Sequence, residues 1–254
     1  MRKRLDVLLV ERGLAETRAQ AQALVMAGLV PGHAKPGEQV DESAPLQVER
    51  PLPYVSRGGQ KLEHALDVFR IDVGGLDCLD VGASTGGFTD CLLQRGAARV
   101  IALDVGRGQL HPKLRDDPRV TVFERVNARR LSELPFPPAL VTCDVSFISL
   151  RVVLPPALGL AQPGWHALAL VKPQFEAGRA EVGLGGVVRD PEIWKRVLQE
   201  LGEESLGWDA EPVGVADSGL PGPKGNREFF LHLRHRPGAS LPDELPRWID
   251  EAVA

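Results

Sequence analysis

Cysteine is scarce in this 254-residue sequence: only Cys78, Cys91 and Cys143 occur, and no two form a Cys-x-x-Cys pair. That excludes a disulfide framework and a cysteine-built zinc site, and it fits a chain kept in a reducing cytoplasm. No apolar run approaches the ~18 to 20 residues a membrane span needs. The stretch 167–171 stops at Lys172. The start, Met1-Arg2-Lys3-Arg4, is basic, but Asp6 and Glu11 interrupt the leucines and valines after it, so the segment lacks the apolar core of a signal peptide. Internal repeats and low-complexity tracts are absent as well. A basic excess is also missing, since the formal net charge is -4. A nucleic-acid partner is therefore not announced by total charge. What is present is ordinary globular composition, 43% hydrophobic and 25% charged, in enough chain for one large domain or a medium and a small one.

Charge is unevenly distributed. Residues 1–180 hold 22 Lys+Arg against 20 Asp+Glu, and residues 181–254 hold 8 against 14. RNA contacts must then come from local patches on the N-terminal side. Arginine dominates the cations, but with 21 prolines and two asparagines this reads as coding or habitat bias rather than a nucleic-acid signature.

The first fifty residues read as a small unit. Leu5, Leu8, Leu9 and Arg12 share one face of a short helix that ends at Gly13. Thr17-x-x-Gln20 has capping-box spacing for a second helix, with Ala21, Leu24 and Val25 as its stripe and Gly28 at its C-terminal end. Short apolar pieces at Leu29-Val30, Val40 and Leu46-Gln47-Val48 flank a turn-rich segment, which predicts a small β-ribbon under two helices. On this unit Arg2, Lys3, Arg4, Arg12 and Arg18 can cluster, either as a phosphate-binding patch or as a solvated basic face. Arg50-Pro51-Leu52-Pro53-Tyr54 reads as a stiff linker. The expected division is a first domain at 1–50, a linker at 51–57, a second domain at 58–236 and a tail at 237–254, helical from Leu241.

Beyond the linker β and α patterns alternate. A helix carrying Leu62, Ala65, Leu66 and Phe69 precedes a strand at Cys78-Leu79-Asp80-Val81, and a helix through Phe88, Cys91 and Leu92 follows. Further strands are predicted at 100–104, 120–123, 140–143, 167–171, 212–216 and 229–233. Near-continuous apolar strands between helices predict an α/β fold with a doubly wound, mostly parallel sheet.

The segment Asp80-Val81-Gly82-Ala83-Ser84-Thr85-Gly86-Gly87-Phe88-Thr89 follows a strand and opens a helix, the context in which backbone approaches a ligand closely. Asp104 closes the next strand, where a carboxylate can take both hydroxyls of a ribose or simply cap the following turn. Asp80 would oppose a pyrophosphate and favour a sulfonium, and Ser84 replaces the second glycine of Gly-x-Gly-x-x-Gly. Both features favour S-adenosylmethionine over NAD. Asn127, after the third strand, faces the adenine edge or is a turn residue. Asp144 and Lys172 end strands, at the edge where open α/β sheets bind ligands. Lys61 follows Ser56-Arg57-Gly58-Gly59, and Glu228 opens the last strand in Gly225-Asn226-Arg227-Glu228. Singly, each of the four reads as a surface charge or ordinary ion pair. Two strand-end charges beside the glycine loop tilt the reading toward function.

These pieces resemble the TlyA family of hemolysin-named rRNA methyltransferases, whose catalytic half is similar to the FtsJ-type ribose 2′-O-methyltransferases. The matching segments include Arg4-Leu5-Asp6-Val7-Leu8-Leu9-Val10-Glu11-Arg12-Gly13-Leu14, Ser56-Arg57-Gly58-Gly59-Gln60-Lys61-Leu62, the glycine loop, Cys143-Asp144-Val145-Ser146-Phe147-Ile148-Ser149, Leu170-Val171-Lys172-Pro173-Gln174-Phe175-Glu176, Gly185-Gly186-Val187-Val188-Arg189-Asp190 and Gly225-Asn226-x-Glu228-Phe229. They lie in family order over nearly the whole chain. Leu184 departs from the pattern, standing where a lysine is expected. The resemblance implies a class I, Rossmann-like methyltransferase behind a small N-terminal α+β domain of the αL type, which binds RNA. It implies a catalytic Lys61–Asp144–Lys172–Glu228 tetrad and a partner in ribosomal RNA or ribosomal subunits; within that tetrad the candidate base is Lys172, since a lysine beside a second cation such as Lys61 can give up its proton and take that of a hydroxyl. Cofactor contacts are expected from Asp80, Gly82, Ser84, Gly86, Phe88, Asp104, Asn127 and Asp144, and RNA contacts from Arg57 besides the N-terminal cluster. The implied reaction is methyl transfer from S-adenosylmethionine to a cytidine 2′-hydroxyl, without a metal. The rival is a membrane-active hemolysin, or an RNA-binding module on a vestigial cofactor fold. The missing export signal and spanning run count against the membrane version.

Overall fold

Leu5, Leu8 and Leu9 recur at helical spacing and all three are buried. They seed the core of the first of two compact units, Met1–Pro53 and Tyr54–Ala254. The computed structural model describes residues 2–15, 17–26, 29–48, 53–222 and 224–254, with the side chains of 19, 20 and 23 outside that description. In the first unit a ribbon of β1 (Arg2–Arg4) and β2 (Gln39–Asp41) accompanies α1 (Leu5–Glu11) and α2 (Arg18–Met26). Val25, Val30 and Val40 close the core with the leucines of α1. After α1 the chain turns at Gly13, whose φ of 68° is a conformation open to glycine.

The ribbon differs from the sequence reading. The partner of Val40 is Lys3, in antiparallel register, while Leu29-Val30 and 46–48 lie in no strand. Three successive basic residues carry no strand signature. A two-stranded ribbon, however, needs only backbone pairing, and one face can stay wet. Leu5 and Asp6 N–H groups also bond Glu38 and Pro36 carbonyls at 2.8 and 3.0 Å, which ties 31–38 to α1. The expected closing glycine of α2, Gly28, the side chain of Gln20, and residues 50–52 of the linker lie outside the described residues.

The second unit runs α3 (Arg57–Phe69), β3 (Asp77–Val81), α4 (Gly87–Gln94), β4 (Arg99–Asp104), α5 (Pro112–Arg115), β5 (Val120–Glu124), β6 (Leu140–Cys143), α6 (Leu150–Leu158), β7 (His166–Val171), α7 (Pro173–Glu176), α8 (Pro191–Ser205), β8 (Ala210–Asp217), β9 (Phe229–His235) and α9 (Leu245–Val253). Its strands form one sheet in the order β5-β4-β3-β6-β7-β9-β8. The first five in that order are parallel, and β9 is antiparallel to both β7 and β8. Every strand expected in this unit from its apolar runs is present.

Two-residue periodicity divides these strands between two cores. Leu79, Val141, Ala169 and Leu231 face the layer of α6, α8 and α9, whereas Cys78, Leu140, Leu168 and Phe230 face α3 and α4. Helices cover both faces, so the strands are apolar on both sides. The C-terminal tail is a packed element too. Leu245, Ile249 and Val253 of α9 are buried, at roughly 1.5 to 3 kcal/mol each, which holds a helix too short to persist alone.

Candidate functional site

The carboxyl ends of β3, β4, β6 and β7 converge on one edge of the parallel sheet, where ligands bind in such folds. After β3 the chain must pass close to β6. A Cβ on Gly82 would collide with the backbone carbonyl of Asp144, and Gly82 has φ 84°. A side chain there would push the two strand ends apart. Ser84, in place of the second glycine, adopts φ 49°, a left-handed conformation costing roughly 1 to 2 kcal/mol for a non-glycine residue. Asp104 holds it there. Its Oδ2 accepts from Ser84 N at 2.8 Å and its Oδ1 from Gly106 N at 2.6 Å.

Beside this loop lies a cleft of about 370 Å³ walled by Gly82, Ser84, Asp104, Val126, Asp144 and Phe147, among others. That volume falls in the ~300 to 1,000 Å³ range of small-ligand sites. Asp104 and Asp144 end the strands on either side of β3, hence about 10 Å apart at the usual strand spacing. Between them the wall is largely apolar. A ligand with a flat apolar part, a diol and a cationic end matches this donor set, and S-adenosylmethionine is such a ligand.

Of the expected cofactor residues, Gly82, Ser84, Asp104 and Asp144 line the cleft. Four do not. Asp80 shares the parity of Cys78, so its carboxylate points under α4 and is fully buried. It accepts from Thr89 Oγ1 at 2.7 Å and Thr142 Oγ1 at 3.3 Å. Burial pushes its carboxyl up to about 7, and the charge of Asp144 adds to the shift. Asp80 therefore braces the N-terminus of α4 rather than facing the cleft. Gly86 is the residue before α4, where a Cβ would strike Leu114. Phe88 is a core residue, its ring 5.9 Å from that of Phe230. Asn127 is exposed and accepts from Arg129 N at 3.1 Å, capping a turn, while Val126 and Ala128 on either side line the cleft.

Two lysine–carboxylate pairs stand at the same edge. Lys172 Nζ is 2.5 Å from Asp144 Oδ1 and donates to Ser146 Oγ at 3.0 Å. Lys61, in the second turn of α3, donates to Glu228 Oε2 at 2.5 Å, and both side chains are buried. α3 reaches this position because Arg57-Gly58-Gly59 packs tightly. A Cβ on Gly59 would overlap the Tyr54 ring, and one on Gly87 of α4 would overlap Ser56 Oγ. Lys172 and Glu228 also line a second cavity, of about 510 Å³. Ser146 and Phe147 wall both cavities, so the Asp144–Lys172 pair spans their boundary.

Sequence reasoning missed Phe147. It is 91% exposed and has φ 64°, and its ring lies 5.0 Å from that of Phe175. An exposed aromatic on strained backbone beside a cavity is a ligand-facing feature. The only hint was its place directly after Asp144-Val145-Ser146. Glu176 was missed as well. Its side chain is buried and accepts from Ser149 Oγ at 2.6 Å and Leu150 N at 2.8 Å, so it joins the segment after Lys172 to the segment after Asp144. Burial raises its carboxyl. Leu184 is 98% exposed on the turn closed by the Gly183–Val187 bridge.

In the N-terminal unit Arg4 and Arg18 do meet, at the fully buried Asp6. Arg4 donates to Asp6 Oδ1 and Oδ2 at 3.0 Å each, and Arg18 donates to Oδ2 at 3.0 Å. Hydrogen bonds from Arg4, then Gln22 and Arg18, hold that carboxyl well below the usual carboxylate range against its burial. Lys3 instead pairs with Glu11 and Glu42, and Arg12 donates to the carbonyls of Glu42 and Ala44. Arg2 is exposed, as is Arg57 at the start of α3 in the other unit.

Residues 54–235 match the model of the FtsJ-like methyltransferases, and residues 3–30 match that of the S4 domain. Over 255 residues the chain is 48% identical to the 16S/23S rRNA (cytidine-2′-O)-methyltransferase TlyA of Mycobacterium tuberculosis, covering 94% of this chain and 92% of that protein. It is 38% identical over 237 residues to a protein named Hemolysin A from Brachyspira hyodysenteriae, covering 91% and 99% of the two chains. A solved structure from Streptococcus thermophilus that carries a hemolysin name aligns with a TM-score of 0.76 at 42% identity, over 99% of this chain and 95% of that one. Among the described residues no helix is long and apolar enough to cross a membrane.

Proposed function

The chain belongs to the TlyA family, an S4 domain followed by an FtsJ-like methyltransferase domain, and from that premise we propose that it methylates a cytidine 2′-hydroxyl of ribosomal RNA using S-adenosylmethionine. The observation that carries this reading is the Asp144–Lys172 pair standing between two cavities that share the wall of Ser146 and Phe147. One cavity has the donor set for the cofactor. The other then receives the acceptor nucleotide.

When bound, S-adenosylmethionine supplies an electrophilic methyl on a positively charged sulfur. The chain's own residues do the rest. Asp104, its oxygens already aligned by Ser84 and Gly106, takes the ribose diol, and the backbone at Gly82 approaches without steric hindrance. Asp144 presents negative charge to the cationic end of the ligand.

A ribose hydroxyl scarcely ionises at neutral pH, so an acceptor must take its proton as the new bond forms. In its amine form Lys172 accepts that proton at Nζ, and Asp144 and Ser146, already within 2.5 and 3.0 Å, hold the resulting ammonium. Lys61, fixed by Glu228, places a second cation near the nucleotide. Such fixed groups act without reorganisation, and positioning alone is worth several kcal/mol. Phe147 and Phe175 offer rings on which a base can stack.

The S4 unit supplies RNA affinity through Arg2, Arg4 and Arg18, whose outward edges reach solvent, with Lys3 and Arg12 beside them and Arg57 acting from the catalytic unit. The enzyme works in the cytoplasm, where its three cysteines stay thiols. Incubation with labelled S-adenosylmethionine and rRNA from both subunits, followed by nucleoside mass spectrometry, tests the reading. It predicts 2′-O-methylcytidine, and label on a base or no label at all contradicts it.

A further inference from the structure

Among the described residues of the first unit, Asp6 is the only buried acid, and it is fully buried. An aspartate in the first turn of a helix already favours the helix dipole from the surface, so burial is not needed for that role. The carboxylate accepts instead from side chains of three separate positions. Arg4 ends β1, and Arg18 and Gln22 lie one turn apart on a single face of α2. The backbone of Asp6 is fixed as well, since its N–H bonds the Pro36 carbonyl at 3.0 Å.

Stability alone gives a poor account of this cluster. Buried ion pairs seldom stabilise a fold more than apolar side chains of the same volume. The two cations, moreover, are not buried with their partner: the side chains of Arg4 and Arg18 are 46% and 57% exposed. Each is tied at one edge only. Arg4 uses Nε and Nη2 on Asp6, and Arg18 uses Nη2. A guanidinium carries five N–H donors in a rigid plane, so donors remain on both after Asp6 is satisfied.

The arrangement is also held in place. Both Nη2 atoms lie 3.0 Å from the same oxygen, Oδ2, which makes neighbours of two like charges that would otherwise separate. Behind Arg4 a Cβ on Gly37 would come within 3.1 Å of Nη1, so the glycine leaves room for the plane of the guanidinium. Two cations and one anion leave a net charge of +1, and among the described residues no second carboxylate pairs with either arginine. A phosphodiester carries the single negative charge and the acceptor oxygens that complete such a set.

We infer that Asp6 is a positioning residue that presets Arg4 and Arg18 as one seat for a backbone phosphate of the RNA. The inference rests on the reading of the S4 unit as the RNA-binding part of the chain. Asp6 touches no RNA itself. It removes the need to order two long side chains when the phosphate arrives.

The test measures binding of purified rRNA to the full chain at one salt concentration. Four proteins are compared: wild type, Asp6→Asn, the double variant Arg4→Met with Arg18→Met, and the triple variant combining all three. By charge alone, loss of an acid beside RNA should tighten binding. The inference predicts the reverse, a dissociation constant for Asp6→Asn raised roughly 5- to 150-fold, the cost of ordering two loosened arginines on binding. In the double variant the arginines are gone, so adding Asp6→Asn should cause no further loss.

Binding by Asp6→Asn as tight as wild type, or tighter, overturns the inference. So does an equal loss in both backgrounds, which is what a merely structural Asp6 would give. Should Asp6→Asn show no cooperative melt, Arg18→Lys carries the test. It keeps the charge and the ion pair but lacks the fork that bonds Asp6 and a phosphate together, so its binding should weaken, and unchanged binding overturns the inference. If the double variant binds rRNA as wild type does, the reading of these arginines as RNA contacts falls first. That failure is distinct, because it appears with Asp6 intact.

Discussion

Replacing Glu228 with glutamine strands a buried ammonium. Lys61 Nζ sits 2.5 Å from Glu228 Oε2, and the two side chains are 9% and 2% exposed. Glu228 is packed on its other side as well, since a Cβ on Gly222 would overlap its Oε1. Truncating one partner of such a pair costs about 3 to 5 kcal/mol, because the other charge stays desolvated. In a domain of this size each kcal/mol moves the melting temperature by about 2 to 4 °C, so Glu228→Gln and Lys61→Met should each melt roughly 6 to 20 °C below wild type. The double variant removes both charges and, since neutral replacements of buried pairs are often harmless, should recover most of that loss. It should transfer no methyl, because the cation beside the nucleotide is gone. Scanning calorimetry of the four proteins, with transfer assays on the same samples, reads both effects. Single variants melting within about 2 °C of wild type would show that the pair is not desolvated. A double variant with wild-type turnover would remove the pair from the catalytic site.

Three further perturbations probe separate parts of the molecule. Asp104→Ala removes a carboxylate that accepts two ribose hydroxyls, and calorimetry should find S-adenosylmethionine binding weaker by roughly 2 to 4 kcal/mol. Unchanged affinity rejects the assignment. Burial raises Asp80 to about 7, so the folded chain keeps a proton between about pH 4 and 7 that the unfolded chain releases. The stability present below that window is lost as pH rises through it, on the order of 4 kcal/mol at ~1.4 kcal/mol per unit. His232, lowered to about 3 by burial, acts with the opposite sign over part of the same range. The readout is therefore the difference between Asp80→Asn and wild type in denaturant titrations at pH 4.5 and 7.5. Identical pH slopes refute it. Removing residues 1–53 should leave cofactor affinity intact and flatten the salt dependence of RNA binding, by about 0.7 to 0.9 in log–log slope per lost phosphate contact. An unchanged slope would mean that the basic residues of that unit touch no phosphate.

The seven strands of the catalytic sheet were legible because burial on both faces leaves near-continuous apolar runs, as in 167–171 and 229–233. β1 was not, because Arg2–Arg4 pairs through its backbone and its side chains carry no strand pattern. The direction of Asp80 was available but unread. Two residues after Cys78, it had to point toward the α3 and α4 layer, away from the cleft. Ser84 shows the reverse case. A residue that breaks the glycine spacing still adopts the glycine conformation, because Asp104 binds its N–H. Phe147 stayed hidden for another reason. An exposed ring on strained backbone is defined by what surrounds it, and no local pattern carries that information. The pairing of Lys61 with Glu228, 167 positions apart in sequence, likewise exists only once β9 lies beside β7.

The proposed reaction stands or falls on Lys172 taking the 2′-hydroxyl proton. The most direct measurement is single-turnover methyl transfer to purified rRNA by wild type, Lys172→Ala and Lys172→Arg, with nucleoside mass spectrometry of the product and parallel binding of S-adenosylmethionine and RNA. Wild type should yield 2′-O-methylcytidine and neither variant any, with both affinities little changed, since arginine keeps the charge but cannot accept the proton. Turnover near wild type by either variant would contradict it, and the base would have to be another residue.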